Sequence, residues 1–298
     1  MKKLSAFFAA ALFVALSFVS CNKVDNGSNT NDNSGDSISG GNGPKVMQLV
    51  QRGTYNNGSA VSIDTTKFFY DSQGRISKAS YRRVDGQMED TGETTFTYGN
   101  GKITATDSQH GEQFIATLDA AGRISQVIYA YDDGTGNIGN TPITVTYDSN
   151  GYIKTATADD GSLTYGGNFT WSGGNMTSGS GYYTDNYNGG STSTTYSGTI
   201  TYTDKTYNGN LCLEYFTSAM RSAGEIRADI EIFGLFGLCG KRCANLPKQV
   251  QTQEQTSYST ETETYTYTFN ADGTVKTITE NVDYGSGAET WVTTFSYE

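Results

Sequence analysis

The sequence predicts an all-β protein, an antiparallel up-and-down meander curled or closed into a barrel, with one short, partly helical apolar insertion. Composition is the first observation: the 298 residues include 42 Thr, 36 Gly and 21 Tyr but only 11 Leu, a balance that suits pleated strands and tight turns and disfavours helices. The second is a hairpin phrase that recurs along the chain. The third is strict alternation in the flanks of that phrase, as in Tyr265, Tyr267 and Phe269 set between Thr264, Thr266 and Thr268, the period of a half-buried strand.

Charge and composition also exclude function classes. A net charge of −11 and a pI near 4.6 argue against binding nucleic acid through its phosphates. With His110 as the single histidine, no site can be built on several imidazoles. No metal or other cofactor is expected.

Residues 1–20 have the build of a secretory signal: Lys2 and Lys3, an apolar run from Leu4 to Val19, then Ser20 before Cys21. The run is shorter than the roughly 20 residues a membrane span needs. Cys21 after a small residue matches a bacterial lipobox, with Phe18 where Leu is commoner, so Cys21 is the expected lipid-attachment residue. Residues 21–44 are almost wholly Asn, Asp, Ser and Gly and read as a disordered tether. Loss of the signal removes two lysines and leaves 18 basic against 31 acidic residues, a net −13. Net charge of that sign offers no attraction to anionic lipid, so attachment is assigned to acyl chains on Cys21.

Residues 45–298 form one predicted domain. Its phrase appears as Tyr70-Asp71-Ser72-Gln73-Gly74-Arg75-Ile76, Leu118-Asp119-Ala120-Ala121-Gly122-Arg123-Ile124, Tyr147-Asp148-Ser149-Asn150-Gly151-Tyr152-Ile153 and Phe269-Asn270-Ala271-Asp272-Gly273-Thr274-Val275. Asp or Asn at the first turn position accepts backbone N–H bonds, and a left-handed Gly closes the hairpin. Asp71, Gly74, Asp119, Gly122, Asp148, Gly151 and Gly273 are therefore read as turn builders. Shorter versions lie at Tyr98–Ile103 and Trp171–Met176. The spacing allows about 12 to 16 strands, too many for one open sheet, so closure is the expected outcome.

The grammar changes over 205–249, which is rich in Leu and Phe. A short helix is expected over Leu211 to Met220, and Ile230 to Leu238 is an apolar run that suits helix or strand. So apolar a segment is expected to pack against the sheet or plug it. Cys212, Cys239 and Cys243 lie within it. An oxidising compartment allows a disulfide from Cys212 to either of the others, and three free thiols are the alternative. The spacing of Cys239 and Cys243 fits no redox or zinc motif.

Signal, Cys21, tether, repeated hairpins and the stretch Phe233-Gly234-Leu235-Phe236-Gly237-Leu238-Cys239-Gly240-Lys241-Arg242 before Asn245-Leu246-Pro247 resemble a family of Bacteroidetes-type lipoproteins of unknown function with a porin-like fold. The hairpin phrase alone is also similar to that of YD-repeat proteins. What the resemblance implies is a barrel-like architecture; it carries no activity and no site residues. Strands such as Thr94 to Tyr98 are too polar for hydrocarbon, so a water-exposed barrel hanging from lipid is expected.

The functional expectation is a non-catalytic outer-membrane lipoprotein, on the periplasmic or the cell-surface side, structural or ligand-binding, with a polysaccharide or protein as partner. Tyr182, Tyr183 and Tyr187 are the candidate ligand-contact aromatics, in a stretch that reads either as an exposed adaptable loop or as a long hairpin. The alternatives are a glycoside hydrolase using two carboxylates, drawn from Asp132, Asp133, Asp159, Asp160 and Glu112, or a membrane pore.

Overall fold

A computed structural model describes residues 44–298 except 55–60, 110, 133–137, 160–162, 187–191, 207–211, 213–229, 231–232, 235–236, 256–258 and 286. Cys21, the leader, the tether to residue 43, His110, Tyr187 and, but for Cys212, the 211–220 segment lie outside these residues.

Sixteen antiparallel strands follow one another in chain order. They are β1 (Val46–Thr54), β2 (Val61–Tyr70), β3 (Ile76–Asp85), β4 (Met88–Gly99), β5 (Lys102–Asp107), β6 (Gln113–Leu118), β7 (Ile124–Asp132) and β8 (Ile138–Tyr147), then β9 (Ile153–Asp159), β10 (Leu163–Ser172), β11 (Asn175–Asp185), β12 (Thr192–Thr206), β13 (Asn245–Glu254), β14 (Ser259–Phe269), β15 (Val275–Asp283) and β16 (Ala288–Tyr297). Each pairs with its sequence neighbour, and β1 pairs with β16 from Val46↔Tyr297 to Thr54↔Thr290. The barrel closes, which leaves no strand edge unpaired.

Even-to-odd connections, the start of β1 and the end of β16 all lie at one end, the hairpin end; odd-to-even connections lie at the other, the mouth. The recurrent phrase builds the hairpin end. The Asp71 carboxylate accepts the N–H groups of Gln73 and Arg75, both at 2.9 Å, and its carbonyl accepts that of Gly74 at 3.0 Å. Asp119 and Asp148 repeat this geometry. Gly74, Gly122, Gly151 and Gly273 sit at φ of 78°, 75°, 87° and 85°, where a side chain would be strained. These hydrogen bonds, with the Arg75 and Arg123 side chains, hold the Asp71 and Asp119 carboxyls below their ordinary range against the opposing effect of desolvation.

Most of these turns carry a one-residue register shift, as between Phe69 and Tyr70, and the β4–β5 turn carries none; by such a shift or by plain alternation, an aromatic near the end of an even strand points inward. There it reaches the first residues of the preceding odd strand. Tyr70, Tyr98, Tyr147, Tyr202, Tyr267 and Tyr297 donate their hydroxyls to the carbonyls of Val46, Ile76, Ile124, Met176, Pro247 and Val275, at 2.6 to 2.8 Å. Trp171 Nε1 does the same to Ile153 at 2.7 Å. Leu118 cannot donate, and its backbone N–H binds the Gly101 carbonyl instead. Arg75 and Arg123 lie over the rings of Tyr98 and Tyr147, 4.1 and 4.2 Å from their centroids, locking one turn onto the next hairpin. Replacing Tyr98 by Phe removes one such bond and strands a carbonyl; a loss of about 1 kcal/mol in urea unfolding is expected, and no change in the midpoint would sink the role assigned to the ring.

The 205–249 insertion crosses the hairpin end. Ile230, Phe233 and Gly234 are helical and Gly237 lies in a turn. The segment then runs past three hairpins in order: the Leu238 carbonyl accepts the Ile124 N–H at 2.9 Å, the Lys241 N–H donates to Gly151 at 2.9 Å and that of Ala244 to Gly174 at 2.9 Å. Cys212, Ile230, Phe233, Leu238, Cys239 and Cys243 are buried and share one core with the strands, so the described part of the insertion packs into this end. Neither Cys239 nor Cys243 is disulfide-bonded, so a bridge from Cys212 to either of them, left open by the sequence, is not formed. The Cys243 sulfur instead accepts the Met176 N–H at 3.5 Å.

Residues 175–185 and 192–206 are strands β11 and β12, so the long hairpin, and not a free loop, describes the Tyr-rich stretch. Tyr182 pairs with Gly166 on the outer face, and its ring lies where a Cβ of Gly166 would stand, 2.9 Å from the hydroxyl.

Candidate functional site

Inside and outside differ by parity. Outward positions carry Thr95, Thr97, Thr264, Thr266 and Thr268 and the ion pairs Lys78–Glu93, at 2.9 Å, and Arg82–Glu89, at 2.8 Å. A belt of that kind on a lipid-facing wall would cost several kcal/mol at mid-depth. Inward positions divide along the barrel axis. Near the hairpin end they are apolar, with Phe68, Phe96, Ile103, Ala116, Val145 and Phe169 buried in the core that includes Ile230, Phe233 and Leu238 of the insertion. Toward the mouth they turn polar and aromatic.

Three groups of neighbouring strands build the mouth wall. Cross-strand register sets Gln51, Asp64, Arg83 and Asp90 side by side on β1 to β4, and Tyr265, Glu280, Trp291, Gly53 and Ser62 side by side from β14 through β16 to β2. Glycine makes room for the large rings. A Cβ on Gly53 would stand 2.3 Å from the Trp291 ring, and one on Gly92 2.5 Å from the Tyr81 ring, so each aromatic lies across a directly paired glycine. Tyr165, Tyr183 and Tyr196 add inward rings on β10 to β12.

Polar partners fix these rings. The Tyr265 hydroxyl donates to Glu280 at 3.0 Å and also to Glu263, and Trp291 Nε1 donates to Glu289 at 3.3 Å. The Tyr81 hydroxyl meets Gln109 at 3.1 Å, and Gln109 reaches Asp90 at 3.2 Å. Desolvation, with Asp90 and Asp107 nearby, pushes the Tyr81 phenol up to about 12.

Asp64 is the exception. It is 5 % exposed, and neither carboxylate oxygen has a hydrogen-bond donor. Arg83 Nε approaches to 3.7 Å. Burial raises its pKa to about 6, opposed by Arg83 and reinforced by Asp85. The Ser62 hydroxyl and Gln51 Oε1, on neighbouring inward positions, are also buried without a partner. Among the described residues, no group of three His, Cys, Asp or Glu side chains is placed to hold a metal ion.

The sequence-predicted site residues are thus dispersed. Tyr183 faces the interior near the mouth, Tyr182 lies on the outer face, and Tyr187 and Cys21 lie outside the described residues. Of the carboxylates considered for hydrolysis, Asp159 is exposed on the outer side at the end of β9, where Thr164 Oγ1 donates to it at 3.2 Å. Asp133 and Asp160 lie outside the described residues. Sequence reasoning missed Asp64, Trp291 and the Glu263, Tyr265 and Glu280 group. One signal was legible: in Thr260 to Thr268 the Glu and Tyr residues share one parity, which puts carboxylates on the face of Tyr265. For Asp64 the signal misleads, because Ile63 faces outward and the acid inward.

No family model matches the chain, and no curated protein matches it. Among the solved structures that share the fold are two porin-like proteins. A porin-like protein from Bacteroides uniformis aligns with a TM-score of 0.59 at 16 % identity, over 86 % of this chain and 98 % of that one. A porin-like protein from Bacteroides vulgatus aligns at 0.58 and 15 % identity, over 86 % and 99 %.

Proposed function

We propose that this chain is a non-catalytic cell-envelope lipoprotein whose barrel stands in water, tethered through Cys21, and holds a ligand in the mouth of its interior. The observation that carries the reading is the division of the interior: an apolar core shared with the described part of the insertion occupies the hairpin end, while inward side chains toward the mouth are aromatic and polar. A filled end opposes passage through the barrel and so disfavours a pore. Rings such as Trp291, Tyr165 and Tyr183 suit a saccharide or a protein segment. Glu263 and Glu280 share the Tyr265 phenol and Glu289 is tied to Trp291; a pair of carboxylates facing across a gap, as two-carboxylate hydrolysis needs, is not what this arrangement offers.

The test is the Cys21→Ser variant expressed in a Bacteroidetes host. A tethered, water-exposed barrel is expected to leave the membrane fraction and stay folded. Retention of the folded variant in the membrane would overturn the reading in favour of a lipid-embedded barrel.

A further inference from the structure

Net charge conceals how charge is distributed along the barrel axis. Set aside Lys78 and Glu93, which are paired with each other and add nothing to the net charge of the hairpin half. Among the other described residues, the hairpin half then holds Lys45, Lys67, Arg75, Lys102, Arg123, Lys154, Lys205, Lys241, Arg242, Lys248 and Lys276, eleven basic residues. Against them stand six acids, Asp71, Asp119, Asp148, Asp204, Asp272 and Glu298, a net of +5. The mouth half holds three basic residues, Arg52, Arg82 and Arg83, and fifteen acids, a net of −12.

The basic residues are displayed. Lys67, Lys102, Lys154, Lys205, Lys241, Lys248 and Lys276 are exposed, and they stand on strands or connections spread around the rim. Two large apolar side chains are exposed at the same end, Phe69 at 42 % beside the β2–β3 turn and Phe269 at 39 % beside the β14–β15 turn. They flank the sector where the chain enters the barrel at Lys45, next to Glu298.

We infer that the hairpin end is a docking face for an anionic lipid surface, so that the barrel sits base-down on the bilayer that anchors it, with its mouth directed away. The inference rests on the lipid-tether reading, since the tether leaves from this same end. Exposed lysines are attracted to lipid phosphate, and phenylalanines on the rim can enter the headgroup boundary. The acidic mouth does not cancel this attraction. Strands of about ten residues tilted near 40° hold it roughly 25 Å away, several times the Debye length of about 8 Å at physiological salt. An acyl anchor with a basic face is also the two-signal arrangement that makes membrane attachment stable.

The two tryptophans of the chain report the orientation. Trp171 stands at the hairpin end, bonded to Ile153, and Trp291 at the mouth. The experiment uses the acylated full chain, as Trp171→Phe and Trp291→Phe single-tryptophan variants, on vesicles of brominated phosphatidylcholine with or without 30 % phosphatidylglycerol. On anionic vesicles Trp171 emission is expected to fall by about half and Trp291 emission to stay unchanged, because Trp291 stands six residues along β16 from the hairpin end, about 15 Å along the barrel axis. High salt, neutral vesicles, or Lys102→Glu, Lys154→Glu and Lys276→Glu combined are expected to abolish the difference. Equal quenching of both tryptophans, or stronger quenching of Trp291, overturns the inference. So does preference of the Cys21→Ser chain for a soluble anionic polysaccharide over the anionic vesicles. Mass spectrometry of the mature chain separates the two failures: absence of an acyl group at Cys21 overturns the tether, whereas an acylated chain without the asymmetry overturns only the docking face.

Discussion

Replacing Asp64 by Asn is expected to raise the stability of the barrel at pH 8 by about 2 kcal/mol and to leave it nearly unchanged at pH 4. An acid whose folded pKa is raised, here to about 6 by burial, is protonated in both states below about pH 4, where it costs nothing. Between about pH 4 and 6 the unfolded chain ionises first, so stability falls as pH rises, and the full penalty persists above. Two units correspond to about 3 kcal/mol, of which the lost attraction to Arg83 returns a part. For a domain of this size the melting temperature should rise by about 4 to 8 °C at pH 8. Equal melting of wild type and variant at both pH values would show that the carboxylate is compensated and would refute the account. A buried, donorless carboxylate beside the lumen is the kind of cost that functional sites carry.

The second large effect concerns the seat of the insertion. Gly240 has φ of 86°, and a Cβ there would stand 2.5 Å from the Gly151 carbonyl oxygen and 2.8 Å from the Tyr147 ring. Its neighbours make the contacts that hold the segment: Leu238 to Ile124 and Tyr147, Lys241 to Gly151, and the bridge of Gly240 itself to Tyr152. Backbone carbonyl and packed ring cannot both retreat, so Gly240→Ala is expected to cost about 3 kcal/mol or more and to expose the insertion to proteolysis. Gly101→Ala is the matched control. It shares a positive φ, 68°, with nothing within 4 Å of the added Cβ, and should cost only about 1 kcal/mol. Similar losses in the two variants would sink the idea that the insertion is seated on the Gly151 turn.

The two variants bear on different parts of the proposal. Gly240→Ala loosens the filled end without touching the mouth. Asp64→Asn alters the mouth and leaves the hairpin ring intact.

Much of the architecture was legible because the hairpin end is made locally. Asp71, Gly74 and Arg75 meet within one turn, so five residues of sequence suffice to foretell the chain reversal, and its recurrence foretold an antiparallel meander with many strands. That the described apolar residues of the 205–249 insertion, such as Ile230, Phe233 and Leu238, are buried was legible from composition alone. Three things required the closed barrel. The aromatic ring at the hairpin end depends on a hydroxyl finding a carbonyl some twenty residues away in sequence, as Tyr98 finds Ile76 at a separation of 22. Which face of β2 looks inward, and hence the burial of Asp64, is fixed by pairing with β1 and β3 against the hint given by Ile63. The separation of basic rim from acidic mouth is invisible in a net charge, since alternate turns carry it to opposite ends. Local hydrogen bonding wrote the turns into the sequence; sixteen cross-strand registers, closed by the pairing of β1 with β16, decided what the interior holds and where its charges lie.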